Sequence, residues 1–150
     1  MRVVIQRVLE ASVRVEEKLI SEIQTGLLVL LGIEVSDSYE NLEWLIKKVS
    51  QLRIFPNEMG NMNQSILDVE GDVIVVSQFT LYASTKKGNR PSFTNSAKPE
   101  IAKPLYADFV KALELKLDRK VGTGIFGADM KVSLINDGPV TICIDSKNRV

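Results

Sequence analysis

The sequence predicts an α+β fold: a single domain over residues 1–150, with a largely antiparallel β-sheet and two main helices. Three observations predict it. Apolar residues recur every second position near both ends of the chain, and a β-branched run sits in its middle. Between these, two stretches carry apolar residues at the helical period. No composition shift marks a linker, repeat or low-complexity segment, and the length suits one core.

The elements follow in order. Val3, Ile5 and Val8 alternate with polar residues, and Val13 and Val15 resume after "EAS", so a hairpin of residues 2–8 and 11–16 is expected, with a short strand at 18–23. "GLLVLLGIE" (26–34) is apolar throughout, as a strand buried on both faces requires. Leu42, Leu45, Ile46, Val49 and Leu52 then form a helical stripe, with Asp37 and Glu40 spaced as a capping box; Pro56 closes the segment. "GDVIVVSQFTLYA" (71–83) reads as the strongest strand. Residues 84–98 form a polar loop, long enough that function or mobility is the usual reason. Pro99 opens a second helix with the stripe Ile101, Leu105, Phe109, Leu113 and Leu117. After the glycine-rich "VGTGIFGADM", "KVSLIND" (131–137) and "VTICID" (140–145) read as two final strands.

Composition removes several classes of function. There is no histidine and a single cysteine, Cys143, so no disulfide forms within the chain and zinc sites of the Cys/His type lack ligands. The same absence removes the usual general base near neutral pH and every Ser-His or Cys-His mechanism. No residue constellation calls for a metal or other cofactor, and none is expected. No apolar run reaches the roughly 18–20 residues of a membrane span, and the start reads as strand rather than signal peptide, so a cytoplasmic protein without a membrane partner is expected. A net charge of +0 leaves nucleic acid to be held only by a local basic patch.

Four local motifs have plain readings beside the chemical ones. Gly122, Gly124 and Gly127 fit G-x-G-x-x-G, but they follow a helix and lead into a strand, the reverse of a dinucleotide fingerprint. A helix C-cap and flexible approach loop is the plainer reading. Ser84 and Lys87 have the spacing of a lysine-activated serine, yet Lys87 sits in a polar loop beside another lysine and reads as a solvated cation. Cys143 alternates with Ile142 and Ile144 and reads as a packed strand residue. Lys86, Lys87 and Arg90 form a basic cluster that is either a solvated loop or a clamp for RNA phosphates.

Two segments exceed generic patterning: Ser77-Gln-Phe-Thr-Leu81 and Asn136-Asp-Gly-Pro-Val-Thr141. Together they resemble the paired signatures of the D-aminoacyl-tRNA deacylases, also called D-tyrosyl-tRNA deacylases. "MRVVIQRV", "GLLVLLGIE", "RPSF" and "GIFGADMKVSLINDGPVT" continue the likeness over the whole chain, in the right order.

The resemblance implies an editing hydrolase with a barrel-like core, homodimeric, with active sites at the interface. It would cleave the ester at the 3′ end of D-aminoacyl-tRNA, and DNA is not an expected partner. It implies a cis Gly138–Pro139 bond reaching into the partner's pocket as a chirality gate. Ser77, Gln78, Phe79 and Thr80 would line the reaction centre, Phe126 and Met130 would wall the pocket, and Ala102 would approach the terminal adenosine. Lys86, Lys87 and Arg90 would then meet tRNA.

Physical chemistry adds three expectations. Backbone oxygens that fix the substrate's α-ammonium leave an L side chain colliding with the main chain and a D side chain free. Glycine passes such a gate, so glycyl-tRNA should be cleaved. With no histidine, catalysis must use carboxylates, lysine, backbone donors or a group the substrate brings. The ribose 2′-hydroxyl can supply the missing base and backbone N–H groups near Phe79 and Thr80 could hold the oxyanion, so Thr80 need not be a nucleophile. The competing readings are a non-catalytic tRNA-end-binding module and a small-molecule esterase using Ser84 and Lys87.

Overall fold

The computed structural model describes residues 1–150. β1 (Arg2–Val15) is one strand of 14 residues, not the expected hairpin. Inward-facing Val3 and Ile5 give way to Val8, then Ala11 and Val13, while Leu9 and Glu10 are exposed. The break in alternation is therefore a change of phase. It coincides with register shifts against β8 (Met130–Asp145) between Gln6 and Val8 and between Val8 and Glu10. Such bulges insert residues without ending a strand. The true hairpin turns at Glu16 and Glu17, whose φ of 48° and 66° suit a tight turn into β2 (Lys18–Ile23). Two glutamates are not the residues by which such a turn is known.

β3 (Gly26–Gly32) is buried on both faces, as expected. It runs antiparallel to β1 on one side and parallel to β6 (Asp72–Ser77) on the other. A Cβ at Gly26 would lie 1.8 Å from the Asp72 carbonyl oxygen, so only glycine admits this approach. Leu27, Val29 and Leu31 face the helices, and Leu28 packs with Val8, Val13 and Ile74 on the other side of the sheet.

α1 (Tyr39–Gln51) connects β3 towards β6, burying Leu42, Leu45, Ile46 and Val49. Its cap lies one residue later than expected: the Ser38 N–H donates to Asn41 Oδ1 at 3.0 Å. Asp37 instead pairs with the amino group of Met1 and accepts the Glu34 N–H at 2.8 Å. A small ribbon of β4 (Phe55–Pro56) and β5 (Met62–Gln64) follows.

β6 stops at Ser77 rather than continuing to residue 83; Phe79–Tyr82 form a single 3₁₀ turn. Pro99 begins α2 (Pro99–Leu117), which buries Ala102, Leu105, Tyr106, Phe109, Leu113 and Leu117. Ile101, expected in that stripe, is 42% exposed because Ala102 takes the inward position. The left-handed C-cap is Asp118 (φ 50°), not a glycine. β7 (Gly122–Thr123) pairs parallel to β6.

The two expected C-terminal strands are one: β8 spans 16 residues and pairs antiparallel along β1 from Arg2 to Val15. The sheet runs β2-β1-β3-β6-β7 with β8 also on β1, and the Ser21 hydroxyl reaches from β2 to the Thr123 carbonyl of β7 at 2.8 Å. That return makes the mixed sheet nearly closed and barrel-like, with both helices packed on its outer face. No helix is long and apolar enough to cross a membrane.

Candidate active site

Where β6 ends, the chain turns and leaves a cavity of about 580 Å³. Six residues singled out in the sequence meet on its wall. Ser77, Gln78 and Phe79 come from the strand end, Ala102 from α2, and Phe126 and Met130 from the approach to β8. Tyr106 supports this wall from behind. Its ring lies 6.0 Å from that of Phe126, and its phenol donates to the Val75 carbonyl at 2.6 Å. Burial pushes that phenol up to about 12, so it stays protonated.

Gly124 shows how closely the wall is packed: a Cβ there would lie 2.2 Å from the Met130 sulfur. The glycine-rich segment thus packs between α2 and β8 and opens no helix, consistent with its reversed order in the sequence.

Thr80 is not part of the wall. Its side-chain oxygen accepts a hydrogen bond from Gln78 Nε2, and the residue is exposed. The adjoining backbone has more to offer. The turn's internal hydrogen bonds begin with the Leu81 N–H donating to Gln78 O at 3.3 Å. The N–H groups of Phe79 and Thr80 precede that ladder.

Three contacts clamp the turn from different sides. The Gln78 N–H donates to Leu31 O at 2.8 Å, Arg2 Nη1 donates to Leu81 O at 3.1 Å, and the Ser96 hydroxyl donates to Phe79 O at 2.8 Å. The ring of Phe93 meets that of Phe79 edge-on, with centroids 5.0 Å apart.

Lys86, Lys87 and Arg90 are exposed on the loop that follows the turn, and none forms an ion pair. Reciprocal Ser84 and Ser92 backbone hydrogen bonds of 2.8 and 2.9 Å close the loop's base. The three cations do not line the cavity, although Phe93 and Ser96, a few residues on, do. No hydrogen bond joins Ser84 to Lys87, so the serine–lysine esterase reading lacks its geometry.

Gly138 and Pro139 lie elsewhere, on an exposed bulge in the middle of β8. The ladder pairs Val8 with Asn136 and Gln6 with Thr141, so the four residues between, 137–140, face the single residue Arg7. The Gly138–Pro139 peptide is cis, and Gly138 has φ 145°, a region only glycine adopts readily. A Cβ there would lie 2.7 Å from Val140 Cγ2 and 2.8 Å from Val140 N.

Two side chains hold the bulge. Asn136 Oδ1 accepts the Val140 N–H at 2.8 Å, and its Nδ2 donates to Thr141 Oγ1 at 3.0 Å. Arg7, only 9% exposed, donates to Asp137 O at 2.9 Å and to Ile54 O at 2.5 Å, with the Asp137 carboxylate 3.3 Å away. Neither Gly138 nor Pro139 lines the cavity of its own chain.

Sequence reasoning passed over Arg7, the clamping role of Asn136, and Ser96 with Phe93. For Arg7 a signal exists: an arginine sits beside Val8 where β1 turns apolar residues inward. Asn136 acts locally, on Val140 and Thr141, and Phe93 and Ser96 meet Phe79 across a loop of fewer than twenty residues; no sequence period marks either contact.

With this geometry in place, the chain matches the family model described as D-Tyr-tRNA(Tyr) deacylase over residues 4–145. It is 61% identical over 149 residues to a D-aminoacyl-tRNA deacylase of Flavobacterium johnsoniae, covering 99% of each chain. It is 60% identical, with the same coverage, to one of Bacteroides fragilis. Among solved structures, one described as c-Myc DNA Unwinding Element Binding Protein superposes with a TM-score of 0.91 at 39% identity, over 97% of this chain and 98% of that one. Another, described as a probable eukaryotic D-amino acid tRNA deacylase, gives 0.85 at 18% identity, over 95% of this chain and 97% of that one, and shows the shared fold.

Proposed function

Because the chain belongs to the D-Tyr-tRNA(Tyr) deacylase family, and is thus a hydrolase of the aminoacyl-tRNA ester, we propose that it selects D over L substrates with the backbone of Gly138 and Pro139. In this reading two copies associate, and each bulge enters the other's cavity. The observation that carries it is the bulge itself, exposed, pinned by Arg7 and Asn136, and missing from the wall of its own cavity.

A substrate held by its α-ammonium on the bulge's carbonyl oxygens, and by its ester beside Phe79, has two of its four substituent directions fixed. Of the remaining two, one meets main chain and the other leads outward. An L side chain collides with rigid backbone; a D side chain does not. Glycine carries hydrogen in both directions, so it passes.

The chemistry asks little of the protein. An aminoacyl ester is already activated, and the N–H groups of Phe79 and Thr80 are available to the oxyanion. One such donor is typically worth about 10²–10³ in rate. The ribose 2′-hydroxyl beside the ester supplies the group that histidine supplies elsewhere. The bond between the carbonyl carbon and the ribose oxygen breaks, water adds to the carbonyl, and free amino acid and tRNA leave. Thr80 lies off the cavity wall and its oxygen accepts from Gln78 Nε2, which supports a role outside nucleophilic attack. Ala102 then approaches the terminal adenosine, and Lys86, Lys87 and Arg90 meet the phosphates of the 3′ end.

The test uses tyrosyl-tRNA of both chiralities, glycyl-tRNA, and a D-tyrosyl-tRNA whose terminal ribose lacks the 2′-hydroxyl. Selective loss of the D ester with measurable glycyl cleavage is expected. Thr80→Ala should keep substantial activity, while the deoxy substrate should be poor. Robust D activity with no glycyl cleavage at matched enzyme sinks the steric gate. A dead Thr80→Ala with a reactive deoxy substrate restores the nucleophile reading.

A further inference from the structure

The Phe79 carbonyl oxygen is held by a side chain from outside the turn: the Ser96 hydroxyl, at 2.8 Å. A trans peptide is planar, with its C=O and N–H pointing in opposite directions. Whatever fixes the Phe79 oxygen therefore fixes the direction of the Thr80 N–H.

Ser96 is itself anchored. Its N–H donates to Phe93 O at 3.0 Å, and the next residue donates to Ile33 O at 2.9 Å. The hydroxyl thus hangs from backbone secured on both sides. The edge-on contact of Phe93 with Phe79 steadies the same peptide from the ring side.

We propose that Ser96 is a positioning residue for deacylation, orienting the Phe79–Thr80 peptide so that its N–H meets the oxyanion. This rests on the reading that these N–H groups stabilise the transition state. Ser96 lines the cavity, but its hydroxyl is engaged on the Phe79 oxygen, so in this proposal it acts through the peptide plane. A polar site must hold its groups within about 10–20° of productive geometry. Removing the hydroxyl takes away the fixed donor on the Phe79 oxygen and lets the plane rock, weakening the N–H contact without abolishing it. The loss should fall in kcat, because the contact strengthens as negative charge develops, and should leave KM nearly unchanged.

The experiment compares parent, Ser96→Ala and Ser96→Thr full-length proteins on D-tyrosyl-tRNA, with kcat and KM measured separately. The expected result for Ser96→Ala is a fall of about tenfold in kcat, since a full donor is worth about 10²–10³, with KM within about twofold. Ser96→Thr restores the rate. Three outcomes overturn the proposal: an unchanged kcat in Ser96→Ala, a loss confined to KM, or no rescue by threonine.

Should the alanine protein fail to fold, Ser96→Gly with the Phe79 carbonyl ¹³C resonance as readout replaces it. Loss of the hydrogen bond moves that resonance upfield, and an unmoved resonance overturns the proposal. A parent protein inactive on D-tyrosyl-tRNA refutes the functional reading above. An active parent with an indifferent Ser96→Ala refutes this inference alone.

Discussion

Replacing Arg7 with methionine tests whether the Gly138 bulge is held from behind. Methionine keeps most of the apolar stem and removes the guanidinium. In the parent that group satisfies Ile54 O at 2.5 Å and Asp137 O at 2.9 Å, and faces the Asp137 carboxylate at 3.3 Å. Breaking a fully buried ion pair costs about 3–5 kcal/mol. Here the Asp137 side chain is 38% exposed, so water replaces part of what it loses. Ile54 is 5% exposed, so its carbonyl is poorly served by water. The balance is about 2–3 kcal/mol, near the value of one or two hydrogen bonds to a charged group. For a chain of this size that corresponds to a fall in Tm of about 5–10 °C.

The functional consequence is more specific. The bulge keeps Asn136 but loses its anchor to the Ile54 segment, so the proposed fence against L side chains should soften. Thermal denaturation by circular dichroism reads the first effect. The ratio of kcat/KM for D- and L-tyrosyl-tRNA reads the second, and that ratio should fall. A Tm within about 2 °C of the parent together with an unchanged ratio would refute the reasoning.

Two further substitutions follow. Gly138→Ala forces a side chain into a φ of 145° and towards Val140, and such strain costs about 1–3 kcal/mol. The bulge should move, and kcat/KM on the D ester should fall by at least about tenfold; a fully active, equally selective protein contradicts this. Tyr106 should titrate near about 12 because burial holds its phenol neutral. An unfolded tyrosine ionises near about 10, so between those values the unfolded chain has released a proton that the folded chain still binds. Stability should therefore fall as pH rises through that window, less steeply in Tyr106→Phe. Chemical denaturation at stepped pH, with absorbance at 295 nm for the phenolate, measures both.

Much of the architecture was legible because it is written in local periods. The stripe of Leu42, Leu45, Ile46 and Val49 and the run Leu27–Leu31 each fix an element and its buried face within one stretch of chain. The segments at Ser77 and Asn136 were equally plain, since their residue types are informative wherever they pack. By itself the sequence also determined that no histidine takes part, and that any general base comes from elsewhere.

What it left undecided was non-local. The phase change at Leu9 and the Gly-Pro pair at 138 both look like strand breaks, and each is a bulge in a continuous strand. A bulge differs from a turn only by the partner that continues past it, here β1 and β8 for one another across more than a hundred residues. The same distance hid Arg7 from Asp137, while Ser96 and Phe79, 17 residues apart, are brought together only by the fold of the intervening loop. Periodicity reports which way a side chain faces, because adjacent backbone dihedrals set that direction. Which group it meets there is set by the pairing of remote strands, and that was decided only when the chain closed.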